Sequence, residues 1–141
     1  MIQLDSFYID FLKIEDAKNL SEMMIFNTDR FKRYFPITLS KNLSLEDSKN
    51  YILEKNKECQ KKSEFTFSIK ELISNKIVGL IIIKEIDWNT KQGEFAYCID
   101  KNFENKGWIS KAIKATSKYV FETIALKKLQ IIVHKSNLGS S

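Results

Sequence analysis

The first clear pattern along the chain is a short alternation. Phe7, Ile9 and Phe11 are separated by Tyr8 and Asp10, the period of a half-buried strand. Ile14, Ala17, Leu20, Met24 and Ile25 then recur at helical spacing, with Glu15 and Asp16 in the first turn, where negative charge complements the helix dipole. From 27 to 42 the periodicity stops. That stretch holds the only proline, Pro36, and the aromatic group Phe31, Tyr34 and Phe35; it reads as a short helical turn followed by a loop, which either closes the base of the core or lines a substrate site. Ser44-Leu45-Glu46-Asp47 has the form of a helix-capping sequence, and Leu45, Ile52 and Cys59 repeat down one face of a lysine-rich helix ending near Lys62.

Phe65, Phe67 and Ile69 again alternate with Thr66, Ser68 and Lys70. A turn at Ser74-Asn75-Lys76 leads into the β-branched run Ile77 to Ile86, and a second turn at Asn89-Thr90 leads into a third strand, Glu94 to Asp100. Residues 64 to 100 are therefore expected to form an antiparallel meander. From Gly107 the period becomes helical: Ile109, Ala112, Ile113, Thr116, Val120, Phe121 and Ile124 mark one face, and Lys111, Lys114 and Lys118 another. Leu126 to Lys128 turns the chain, and Leu129 to His134 reads as a last strand, parallel to Glu94–Asp100 if adjacent, because a helix connects them. This order predicts an α+β, three-layer fold: a mixed, mostly antiparallel sheet flanked by helices.

Composition narrows the function classes. At 141 residues the chain fits one domain with a real core. The net charge of +5 is spread as lysines interleaved with acids, which is a solvated surface rather than a nucleic-acid footprint. Cys59 and Cys98 are far apart, there is no C-x-x-C, and His134 is the one histidine, so neither a zinc site nor a disulfide framework is expected. Met1 to Asp10 lacks the form of a signal peptide, and the longest apolar run, Ile77 to Ile83, is too short to span a bilayer. A cytoplasmic protein with no membrane partner is the expectation.

Candidate chemistry sits at the last strand-to-helix junction, Asp100 to Lys111. A helix N-terminus has unpaired amides and about half a positive charge, so a phosphate placed there collects several hydrogen bonds. Gly107 permits close backbone approach, Lys106 and Lys111 add charge, and Ser110 adds a hydroxyl. The G-x-x-x-x-G-K-[ST] spacing of a P-loop is absent. On these residues alone the junction serves equally as a plain turn.

The segment Glu94-Phe-Ala-Tyr-Cys-Ile-Asp-Lys-Asn-Phe-Glu-Asn-Lys-Gly-Trp-Ile-Ser-Lys-Ala-Ile113 resembles the acetyl-CoA-binding segment of GNAT acetyltransferases, most closely the RimJ/RimL-like ribosomal-protein N-terminal acetyltransferases. In that group a strand ending Gly-Tyr-x-(Leu/Ile) precedes a turn of form (Arg/Gln)-x-x-Gly-x-(Gly/Ala) and an amphipathic helix. Tyr97, Ile99, Gly107 and Ala112 match. Tyr8 to Ala17 is similar to the family's opening strand and helix, and His134 to Ser140 to its Asn-x-x-Ser motif. Departures are Ala96 for the strand glycine, Glu104 for Arg or Gln, Asn105 where Gly is common, and Ile109 for Gly or Ala.

The resemblance implies an N-acetyltransferase that moves an acetyl group from acetyl-CoA, as co-substrate and without a metal, to a primary amine by direct attack. The acceptor is a protein N-terminus or a small molecule. Cys98, Ile99, Asn105, Lys106, Gly107, Trp108, Ile109, Ser110 and Asn137 are the implied coenzyme-binding residues, largely through backbone groups; Glu94 is the candidate base and Ser140 the donor to the departing thiolate. The family fold continues with a further helix and strand pair, so residues 1–141 are expected to be one GNAT domain incomplete at its C-terminal end. A homodimer is compatible with the family. Two rivals stand beside this: a catalytically impaired GNAT-like module that binds a coenzyme or peptide, and, suggested by charge alone, an RNA-associated protein.

Overall fold

The computed structural model describes residues 1–132. Among them, six strands form one sheet in the order β1 (Ile2–Gln3), β2 (Phe7–Phe11), β3 (Phe65–Glu71), β4 (Ile77–Asp87), β5 (Gln92–Ile99), β6 (Lys128–Ile131). All neighbours are antiparallel except β5 and β6, which run parallel in register Gln92↔Lys128 to Phe95↔Ile131. The parallel pair follows from the crossover through α5 (Trp108–Tyr119), as the sequence order predicts.

Helices cover both faces, which is why β4 reads as a continuous apolar run and is buried from Ile77 to Ile83. On one face Phe7, Ile9, Phe67, Phe95 and Tyr97 pack against Trp108, Ile109 and Ala112 of α5. On the other, Leu80 and Cys98 meet Leu20 and Met24 of α1 (Ala17–Phe26), Phe31 of α2 (Thr28–Tyr34) and Ile52 of α4 (Leu45–Gln60). Close approach at the centre requires Gly79: a Cβ there would lie 2.6 Å from the Cys98 carbonyl oxygen.

Several expectations are corrected. The stretch 27–42 is not mainly loop but two helices, α2 and α3 (Pro36–Ser40), with Pro36 in the first turn where its missing N–H costs nothing. Each buries a single large apolar residue, Phe31 or Leu39, too few to leave a period. Phe31 is buried edge-on to Phe35, so these aromatics close the core. The inner face of α4 is Ser48, Tyr51 and Ile52, whereas Leu45 is 47% exposed; Ser48 is inside because its hydroxyl donates to buried Asn42 at 2.8 Å. Phe121 is also exposed, in the π-helical turn Val120–Ile124 that ends α5's run. The first helix opens as a 3-10 turn, Ile14–Asp16, with Asp16 buried and 2.9 Å from the buried Lys70 ammonium. Strand β1 is too short to show an alternation. No helix among the described residues is long and apolar enough to cross a membrane.

Candidate functional site

β5 ends in a knot of side-chain hydrogen bonds. Asp100 Oδ1 accepts from the amide of Asn102 at 2.8 Å, and its Oδ2 accepts from Asn27 Nδ2 at 2.9 Å. Asn27 is itself buried at the α1–α2 junction, where Nδ2 also donates to the Met23 carbonyl at 2.8 Å and Oδ1 accepts from the Lys101 amide at 3.0 Å. Arg30, in the first turn of α2, donates from Nη1 to the Ile99 carbonyl at 2.9 Å and sets Nη2 2.9 Å from Glu104 Oε2. The start of α2 is thereby sewn to the last residue of β5 and to the turn beyond it.

A 3-10 turn, Lys101–Phe103, leads to Gly107, which has φ +73° and forms the N-cap of α5. That left-handed conformation is the reason for glycine, since a Cβ there would meet nothing within 4 Å. The space in front of Gly107 is therefore open to a ligand. The first turn of α5 carries no acid. Trp108 and Ile109 turn their side chains into the core, with Trp108 stacked on Phe7 at 4.9 Å, so the outward character of this turn comes from backbone amides. Lys106 is exposed with Nζ 5.7 Å from the Phe103 ring centroid, and exposed Lys111 lies 3.6 Å from Asp5. An amide-lined, positively charged corner of this kind accepts an anion.

The structure brings Ile99, Asn105, Lys106, Gly107, Trp108, Ile109 and Ser110 to this end of β5. Cys98 is there too, but its side chain and that of Ile99 are buried, which leaves only their backbone for a ligand. Burial also pushes the Cys98 thiol up to about 12, an inert state for a nucleophile. Glu94 is not at the corner. It lies six residues before Asp100, roughly 20 Å away at the rise of a strand, opposite Lys84 and Gln130 in a separate cleft of about 290 Å³ that also includes Asp87 and Lys128. His134, Asn137 and Ser140 lie outside the described residues.

Sequence reasoning missed Asn27 and Arg30. The available signal was two hydrogen-bonding side chains beside buried Phe31 in a stretch without apolar period. It also missed a cleft of about 520 Å³ beside Asp100, lined by Asn19, Glu22, Phe26, Lys76 and Phe103.

Residues 7–141 match the model of the acetyltransferase (GNAT) domain. The chain belongs to the GNAT acetyltransferase family. It is 24% identical over 141 residues to the probable N-acetyltransferase YjcK of Bacillus subtilis, covering 99% of this chain and 78% of that one. The ribosomal-protein-S5-alanine acetyltransferase of Vibrio fischeri shares its fold with a TM-score of 0.84 at 18% identity, over 92% of this chain and 72% of that one. The microcin C7 self-immunity acetyltransferase MccE, solved with acetyl-CoA and AMP, does so with a TM-score of 0.83 at 21% identity, over 94% and 73%. The six-stranded mixed sheet between helices is thus the GNAT fold, and this GNAT acetyltransferase has RimJ/RimL-type enzymes among its structural neighbours.

Proposed function

We propose that this GNAT acetyltransferase transfers an acetyl group from acetyl-CoA to a primary amine, with a protein N-terminal α-amine as the preferred class of acceptor. The observation that carries the reading is the Gly107-capped N-terminus of α5, an open, acid-free row of amides suited to a pyrophosphate. The acetyl-CoA complex of MccE supports the choice of coenzyme, and the S5-alanine acetyltransferase supports the acceptor class.

In this reading the coenzyme's arm runs from the Gly107 corner along β5 near Tyr97 to Asp100, and backbone amides polarise the thioester carbonyl. The acceptor nitrogen bonds to the acetyl carbon, the C–S bond breaks, and the sulfur leaves as a thiolate. The nucleophile must be neutral. An α-amine, with pKa near 8, is partly neutral at pH 7, whereas a lysine amine near 10.4 is not, so the former demands less of a base. Glu94, three residues before the Tyr97 end of that path and away from the Gly107 corner itself, takes the amine proton through a chain of water, Ser140 protonates the thiolate, and Asn137 braces the arm.

Calorimetric titration with acetyl-CoA, followed by thiol release with a peptide bearing a free N-terminus and with spermidine, tests the reading. Binding with turnover on the peptide is expected, and Glu94→Gln is expected to lower kcat/KM by about 10²-fold or more. No detectable acetyl-CoA binding sinks the proposal; binding without turnover on any amine favours a coenzyme-binding module instead.

A further inference from the structure

Glu104 stands three residues before Gly107, on the turn whose amides are read above as the pyrophosphate cradle. An unopposed carboxylate there repels a phosphate. It is not unopposed, because Arg30 of α2 reaches across with Nη2 2.9 Å from Oε2, both side chains being only about a quarter exposed or less, at 21% and 25%. A pair shielded to this degree is screened less by salt than a surface pair.

The other arm of the guanidinium has a defined target. In an antiparallel ladder successive residues alternate between facing the partner strand and facing away. The Asp100 amide donates to Val78 on β4, so Ile99 turns its carbonyl away from β4. Phe95, in the same phase, gives its carbonyl to the Ile132 amide on the β6 side at 2.8 Å. Nη1 of Arg30 therefore holds the last carbonyl on the β6-facing edge of β5. Its position is independent of Glu104, being fixed also by Asn27 Oδ1 at 3.5 Å and by packing 5.6 Å over the Phe31 ring.

We propose that Arg30 is a positioning residue for the coenzyme: it cancels the Glu104 charge and draws that carboxylate towards α2, so that the amide corner at Gly107 can accept a pyrophosphate. This rests on the pyrophosphate reading of that corner. Coenzyme affinity is thereby made to depend on a residue of α2, a helix that contributes nothing to the phosphate turn in sequence.

The test is a charge cycle on the whole chain: wild type, Arg30→Met, Glu104→Gln and the double variant, titrated with acetyl-CoA and with S-acetyl-pantetheine, which lacks the pyrophosphate. Arg30→Met is expected to weaken acetyl-CoA about tenfold, equivalent to ~1.4 kcal/mol, and S-acetyl-pantetheine, which loses only the order that Nη1 gives the Ile99 carbonyl, by less than about twofold. Glu104→Gln, which frees a positive charge beside the site, is expected to tighten acetyl-CoA several-fold, and the double variant to return near wild type. If the pair is only a mechanical staple, all three variants weaken both ligands alike, and the proposal fails. Should Arg30→Met not fold, the sign of the Glu104→Gln effect decides by itself: tightening supports the proposal, weakening overturns it. A wild-type chain that binds neither ligand overturns the pyrophosphate reading, a failure distinct from wild-type binding that is indifferent to Arg30.

Discussion

Helices α4 and α5 begin in opposite ways. At α4 the Ser44 side chain accepts from the Asp47 amide at 3.0 Å, and Glu46 and Asp47 put negative charge in the first turn, so the helix pairs one of its free amides with its own cap and complements its own dipole. At α5 the cap is a left-handed glycine with no side chain, no acid follows it, and Lys106 and Lys111 flank it. The first helix is finished as it stands. The second has neither a side-chain cap bond from Gly107 nor an acid in its first turn, and the coenzyme reading rests on that difference.

Breaking the open terminus has the largest expected effect. Gly107→Val places a β-branched residue at φ +73° and a side chain in the open space, and is expected to reduce acetyl-CoA affinity more than about 100-fold in calorimetry. A smaller effect comes from making α5 resemble α4. Ser110 occupies the third helical position, as Asp47 does in α4, and Ser110→Asp supplies an internal anion; about tenfold weaker binding is expected, with a melting temperature equal to wild type or higher. The reciprocal change, Ser44→Ala, removes α4's cap and is expected to cost about 1 kcal/mol in urea unfolding while leaving acetyl-CoA affinity unaltered. Smallest of all, Lys106→Ala removes one exposed charge and is expected to weaken binding about twofold at low salt and less at high salt. Equal sensitivity of coenzyme binding to Ser44→Ala and Ser110→Asp would erase the distinction between the two termini.

Much of the fold was legible because it is locally encoded. The alternation in Phe65–Ile69, the β-branched run from Ile77 and the helical stripe from Ile109 each appear within a few residues, and all three became the elements they predict. Where local signal was thin, the reading failed: α2 and α3 each bury one large side chain, and α4 turns Ser48 inward rather than Leu45 because Asn42 waits there. Of the candidate site, the Gly107 corner could be found from a glycine, two lysines and a change of period. Glu94 could be named but not located, since position along a strand relative to a distant turn is a matter of register.

The sequence by itself determined the order of β2 to β6 with α1, α4 and α5 between them, the parallel sense of the closing pair once adjacent, and the glycine-led helix, since period, propensity and turn chemistry act within one strand or one helical turn. Only the tertiary structure decided what surrounds that helix. Asn27 reaches Asp100 across 73 residues and Arg30 reaches Ile99 across 69, and such contacts exist only once helices have packed on the sheet. Glu104 is the clearest case. Read along the chain it is an acid misplaced beside the proposed phosphate site, and in the fold it is one half of an ion pair.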